Sequence, residues 1–441
     1  MNRLLSRPGR LTAVAGLATL ALVAATPGTS AAARTAPAGA GTIELVSLHD
    51  ADGTQAPAKS RTNGSATVAS ADGRYVVFST EAALVRRDTN DLDDVYLRDT
   101  RDGTTTLVST DRAGTIGNDY SVEPTISSDG RFVAFTTWAS NLFPDRNGHV
   151  LDVVVKNLAT GRLRLVSAGP DGSQTRRNSF FPVISGNGRH VAFQTFGSFA
   201  RTDADRREDV YVKNRRTGEI RQVTLDRNGK DLPGHYVVGG ISADGGLVTF
   251  GDDNSAWVHD VARRRTVRFW HEPNHPDAPF PAGTVGRPVI SGNGKFVAFS
   301  TANQFVVDED EGSWSDIFRL NLVTGRFALV TVARDGGPAD EHSFIPSLSH
   351  TGRYVGFSSF AGNLAAGESA GSDTFVRDMA TGTTLLASAG LSGPADGESG
   401  RSAVAISADG RSLVYESYAA NLVRGDRNRQ ADAFVWRAPA D

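Results

Sequence analysis

Three loops of this 441-residue chain carry carboxylate and amide oxygens at a spacing suited to a hard cation. They are Asp88-x-Asn90-x-x-x-Asp94, Asp203-x-Asp205-x-x-x-Asp209 and Asp426-x-Asn428-x-x-x-Asp432, with looser versions at Asp145, Asn147 and Asp152 and at Asp308, Asp310 and Asp316. Oxygens at positions 1, 3 and 7, with a backbone carbonyl near position 5 and water, can complete a calcium shell. The same residues can instead form Asx-turns that order a loop, the last Asp capping the start of the following strand. Loops that keep only part of the pattern, Asp252-Asp253-Asn254 and Glu368 with Asp373, agree with this second use. No loop has the twelve-residue geometry ending in a bidentate Glu, so structural turn and weak calcium site both stay open, millimolar affinity being sufficient outside cells.

A second constellation is His271-Glu272-Pro273-Asn274-His275. Zinc hydrolysis by such a motif needs both histidines on one face of a helix, and Pro273, Pro276 and Pro279 argue against a helix there. The segment reads as a loop. Cysteine-based nucleophilic catalysis has no basis either, since the chain has no cysteine. Acidic pairs such as Asp93-Asp94 are too common in the loops to single out an acid and base.

What must position these residues is a repeated unit. The phrases Ser70-Ala-Asp-Gly73, Ser127-Ser-Asp-Gly130, Ser185-Gly-Asn-Gly188, Ser242-Ala-Asp-Gly245, Ser291-Gly-Asn-Gly294, Ser349-His-Thr-Gly352 and Ser407-Ala-Asp-Gly410 recur along the chain. Their glycines are 57, 58, 57, 49, 58 and 58 residues apart, so one supersecondary unit is used seven times. In the second unit Pro124–Ser127 and Arg131–Thr136 flank the glycine turn as strands a and b. Asp152–Asn157 and Leu163–Ser167 follow as strands c and d. Four short strands per unit without helical periodicity describe a propeller blade, and the fold expected is an all-β, seven-bladed β-propeller over residues 42–441. The last unit lacks a strand d, and Ile43-Glu-Leu-Val-Ser47 matches the missing one, so the N-terminal strand should complete the seventh blade.

These units resemble the WD40-like propeller repeats of TolB, which carry a Pro-x-x-Ser-x-Asp-Gly turn followed by an Ile/Val-Ala-Phe strand. The resemblance covers residues 43 to 437 and concerns the repeat, not an activity. The additional N-terminal domain of TolB is not expected here, so TolB's envelope partners are not expected to carry over. The b–c loops, as in Asn421-Leu-Val-Arg-Gly-Asp-Arg-Asn428, also look like those of secreted multi-repeat propellers.

Arg3, Arg7 and Arg10, an apolar run from Leu11 to Ala25 and then Ala31-Ala32-Ala33 read as a secretory signal peptide, residues 1–33, followed by a flexible leader, 34–41. Removing the signal takes the formal net charge from −3 to −6, and the lack of a clustered basic excess argues against a nucleic-acid partner. The expectation is a secreted monomer without a membrane span. Its b–c and d–a loops share one face, where residues preceding strand a approach the channel: Asp119, Tyr120, Glu123, Arg177, Phe180, His235, Tyr236, Glu341, His342 and Phe344. This face is expected to bind a protein, peptide or surface glycan, with calcium as the one candidate cofactor. The alternative is an extracellular hydrolase or lyase at the channel mouth, which would require carboxylates or histidines of different blades to converge.

Overall fold

The computed structural model describes residues 41–439 except 51–52, 58, 62–67, 204, 206, 272–286, 304–305, 308–309, 311–313 and 429. The expected signal peptide and all of the leader but Gly41 lie outside the described residues, as do Glu272–His275 and Asp308. Among the described residues no helix is long and apolar enough to cross a membrane.

The chain forms seven four-stranded antiparallel sheets, each one blade. In the second blade strands a to d are Ser121–Ile126, Phe132–Thr137, Asp152–Asn157 and Leu163–Leu165. Strand c begins at Asp94, Asp209, Asp316, Asp373 and Asp432 in blades 1, 3, 5, 6 and 7, and at Ser255 in blade 4. Strand b supplies the packing between blades: Phe78, Phe135, Phe193, Phe250, Phe299, Phe357 and Tyr415 are wholly buried. They alternate along the strand with small or β-branched residues that face the other side of the sheet.

The repeated phrase is a turn whose every polar atom has a task. In blade 1 the Ser70 hydroxyl donates to Asp72 Oδ1 at 2.7 Å and accepts the Tyr75 N–H at 3.0 Å, while Asp72 accepts the Arg74 N–H. Gly73 sits at φ 67°, a region that favours glycine. Space demands glycine too: a Cβ on Gly130 would meet the Tyr75 ring at 2.6 Å, and one on Gly188 would run into the Phe132 ring. Each turn glycine lies against the residue at the head of strand b of the preceding blade, aromatic at Tyr75, Phe132, His190, Phe296 and Tyr354, and Leu247 or Ser412 at Gly294 and Gly73. Blade 6, with Thr351 in place of Asp, keeps the arrangement through its Thr hydroxyl, which accepts the Arg353 N–H.

These turns are joined in a circle. Ala71 N–H donates to Ser128 O, Ser128 to Gly186 O, Asn187 to Ala243 O, Ala243 to Gly292 O, Asn293 to His350 O, His350 to Ala408 O, and Asp409 back to Ala71 O. At this end the channel is lined by Ala69, Ile126, Ile184, Ile241, Ile290, Leu348 and Ile406, one from each blade, around a space of only about 60 Å3.

The N-terminal strand closes the ring as expected. Thr42–Leu45 pairs antiparallel with Asp432–Arg437, placing Ile43 opposite Trp436, and the Val46 N–H donates to Ala433 O at 2.8 Å. Deleting residues up to Leu48 removes this strand and the fully buried Val46, and leaves Asp432–Arg437 as a bare edge. Such a chain should melt at least ~10 °C below the parent and aggregate on heating, the loss of several kcal/mol of burial and pairing being spread over a large domain. An unchanged melting curve would overturn this account of closure.

Candidate functional site

The last Asp of each b–c loop is the buried first residue of strand c, and its role is the same in six of the blades. Its Oδ1 accepts a hydroxyl from the residue just past strand d: Ser109 to Asp94, Ser167 to Asp152, Thr224 to Asp209, Thr331 to Asp316, Ser388 to Asp373 and Ser47 to Asp432. In blades 1, 2, 5, 6 and 7 that hydroxyl oxygen also accepts the N–H following the Asp. Blade 4 substitutes Ser255 and the Nδ1 of His271, 2.8 Å apart. His271 is thus the last residue of a strand, Arg265–His271, and not part of a loop or of the helix a zinc motif needs.

The earlier loop residues differ between blades in what they hold. Asn90 donates to Gly117 O, Asn147 to Thr175 O and to Asp152 Oδ2, and Asn428 to Ala56 O. In blade 7, Gln55 donates to both Asp426 and Asp432. Asp88 accepts from the Tyr96 hydroxyl. In blade 3, Asp203, Asp205 and Asp209 meet a fourth carboxylate, Asp231, with ligand atoms all within 4.8 Å of one another. Sequence reasoning missed Asp231 because it belongs to the hairpin after strand d, opposite Leu225.

The opposite end of the channel from the apolar ring is wide and polar. Strand a bulges in blades 2, 3 and 6, where Glu123, Phe181 and Ile345 adopt φ of 56°, 49° and 53°. A left-handed non-glycine residue costs on the order of 1–3 kcal/mol, so other contacts must hold it. The Glu123 carboxylate accepts the Phe181 N–H at 2.8 Å and the Thr136 hydroxyl at 2.7 Å, tying one bulge to the next. A cleft of about 740 Å3 opens here, lined by Phe181, Arg287, His342, Phe344, Phe360 and Arg401 among others. The Arg287 guanidinium lies 4.2 Å from the Phe181 ring centre, and Arg401 lies 5.6 Å from that of Phe360. Burial lowers the Arg287 pKa, against the opposing charges of Glu123 and Glu208; burial raises both carboxylates. A second cleft of about 400 Å3 is lined by Arg61, Asp93, Tyr120, Glu123 and Trp138.

The residues singled out before strand a fall into three groups. Tyr120, Glu123, His342 and Phe344 line the two clefts. Asp119, Arg177, His235 and Glu341 lie on the surface beside them: Asp119 faces His149 at 3.6 Å, His235 faces Glu208 at 3.9 Å, Glu341 accepts the His342 N–H, and Arg177 is exposed. Phe180 packs on Phe181 and Phe196, while Tyr236 is a core residue, 3% exposed, against Phe250 and Trp257. Phe181, Glu208, Arg287, Phe360 and Arg401 were not foreseen; the bulge shifts which residue faces the channel, and no residue type announces it.

Burial raises Asp94 and Asp316 to about 7, and Asp152 and Asp432 to about 6, from 3.8. Between about pH 4 and pH 7 the folded chain holds protons that the unfolded chain has released, so these groups make stability fall as pH rises through that window. His259, lowered to about 4 by burial, acts in the opposite sense below pH 6.5. The clean readout is therefore a difference. The melting temperature of Asp94→Asn relative to wild type should rise by roughly 2–5 °C between pH 4.5 and pH 8. A difference independent of pH would contradict the assignment.

No known family pattern matches this sequence, and neither does any curated protein. Among solved structures, an oligogalacturonate lyase from Vibrio parahaemolyticus superposes with a TM-score of 0.53 at 12% identity, covering 91% of this chain and 99% of its own. One of two prolyl endopeptidases covers 90% of this chain with half of its own length, 51%, at 12% identity and a TM-score of 0.50. TolB from Acinetobacter baumannii covers 83% of this chain and 81% of its own at 14% identity, with a TM-score of 0.40. Such likenesses concern fold alone. With seven blades of four strands and the Ser-x-Asp/Asn-Gly turn in all but one of them, the chain is an all-β, seven-bladed β-propeller.

Proposed function

We propose that this protein is a secreted, non-enzymatic β-propeller that binds an extended peptide segment or glycan chain of an extracellular partner across the mouth of its channel on the loop-rich face. The observation that carries this reading is the cleft of about 740 Å3, within the size range of ligand sites. Its aromatic platforms, Phe181, Phe344 and Phe360, alternate with guanidinium planes and the imidazole of His342. Aromatic faces flanked by a few hydrogen-bonding groups suit sugar rings and peptide side chains alike. Binding is favoured over hydrolysis or elimination by how the acidic groups are used. Glu123 already accepts two hydrogen bonds and fixes a strained backbone, and Glu208 accepts from Gln194.

The test is to screen the full secreted chain against a glycan array and a displayed peptide library. A ligand of this face should lose roughly ten-fold or more in affinity with Phe360→Ala or Arg401→Ala, as anchors in a binding site do. It should be unaffected by Lys295→Ala in the a–b turn at the other end. Hits that ignore both mouth substitutions, or turnover of a hit abolished by Glu208→Gln, would replace the binding reading.

A further inference from the structure

Blade 3 departs from its neighbours by two changes of the same kind. At the third loop position, where blades 1, 2 and 7 have Asn90, Asn147 and Asn428, it has Asp205. At the bridge after strand d, where blades 2 and 7 place Gln174 and Gln55, it has Asp231. Elsewhere those side chains are donors: Asn147 gives a hydrogen bond to Asp152, Gln55 to Asp426 and Asp432. In blade 3 two amide donors have become two carboxylates.

The consequence is visible at the head of strand c. Asp209 is 2% exposed; its Oδ1 is bonded to Thr224, and its Oδ2, like that of Asp94 and of Asp316, is buried without a hydrogen-bond partner among the described residues; in blade 3 Asp203 Oδ1 is in the same condition beside it. A buried carboxylate oxygen left without a donor is costly unless a positive charge meets it. Among the described residues Tyr211 donates to Asp203 Oδ2 at 2.9 Å and Gln222 to Asp231 Oδ1 at 2.6 Å, while Arg207 gives its N–H to Asp205 Oδ1 at 2.9 Å and its guanidinium reaches the same carboxylate at 3.8 Å. The four carboxylates offer ligand atoms within 4.8 Å of one another. Atoms no farther apart than this can share one ion bound at about 2.4 Å, the calcium–oxygen distance.

We propose that blade 3 holds a divalent cation, calcium by its all-oxygen donor set, with Asp203, Asp205, Asp209 and Asp231 as ligands. In blades 2 and 7 Asn and Gln amides donate to the loop carboxylates in place of an ion. The ion joins the b–c loop to the hairpin following strand d of the same blade. This site stands independently of what the channel mouth binds.

Calcium titration of the EDTA-treated full chain should show one site with a dissociation constant on the order of 10⁻⁴–10⁻³ M. The melting temperature should rise by about 2 °C at about ten times that concentration. Asp205→Asn and Asp231→Gln restore the residue types of the other blades, so they should fold while losing roughly ten-fold or more in calcium affinity, as loss of a charged ligand implies. Asp426→Asn, in blade 7, should leave calcium binding intact. Terbium in place of calcium should luminesce through Tyr211, and Tyr211→Phe should dim it without abolishing calcium binding. Absence of heat and of any thermal shift at about 10 mM calcium, well above the expected dissociation constant, would overturn the proposal. So would an undiminished response in Asp205→Asn and Asp231→Gln.

Discussion

The circle of seven backbone hydrogen bonds between successive a–b turns is the constraint on which the remaining geometry depends. Each bond joins the turn of one blade to that of the next, and the last returns to the first, so no turn can shift without straining both neighbours. Backbone groups can meet this closely only if the turn is tight and its glycine carries no Cβ, since the aromatic ring of the preceding blade occupies that space at Gly130 and Gly188. The recurring phrase encodes these needs: serine and aspartate satisfy the polar atoms of the turn, and glycine supplies the left-handed φ. With the narrow end fixed in this way, the blades splay, and the loops at the far end are free to vary.

A second, repeated link fixes each blade at that far end. The buried Asp at the head of strand c accepts a hydroxyl from the residue after strand d, so the two outer strands are locked at the point where the loops begin. Burying a carboxylate is unfavourable, and burial raises its pKa. Satisfying that carboxylate is then a local problem that each blade solves with its own loop. Blades 2 and 7 use amide donors, blade 4 replaces the whole pair by Ser255 and His271, and blade 3 gathers more acid. The variety of the loops is a set of answers to one electrostatic demand.

The ring, its count of blades and its closure were legible in the sequence because they rest on short-range rules: a period, a turn phrase, an alternating strand. The strand-c aspartates were also visible, though not which of their loops would bring further acids together. That depended on Asp231, 22 residues beyond Asp209 and brought back by a hairpin. The channel mouth was legible only in part. Glu123, His342 and Phe344 were found because they lie just before the Pro-x-x-Ser run read as strand a, while Phe181 and Arg401 escaped notice. A bulge adds one residue to a strand and reverses the facing of the residues beyond it, so simple alternation assigns the wrong neighbour. Arg287 and Glu208 come from segments with no distinguishing pattern.

The two ends of the channel differ enough to fix the direction from which a ligand must approach. At the turn end, aliphatic side chains from six blades and Ala69 leave about 60 Å3, room for a few water molecules, within a belt that cannot open without breaking the circle of hydrogen bonds. At the loop end the same strands carry bulges, buried charge and aromatic faces around a far larger space of about 740 Å3. Strain is concentrated there because the bulge residues turn outward from the regular strand, and the cost is met by side chains such as Glu123 that bind the next blade. A polymer cannot thread this channel; it can only lie across the mouth. The asymmetry thus makes the propeller a one-sided platform, rigid below and chemically individual above.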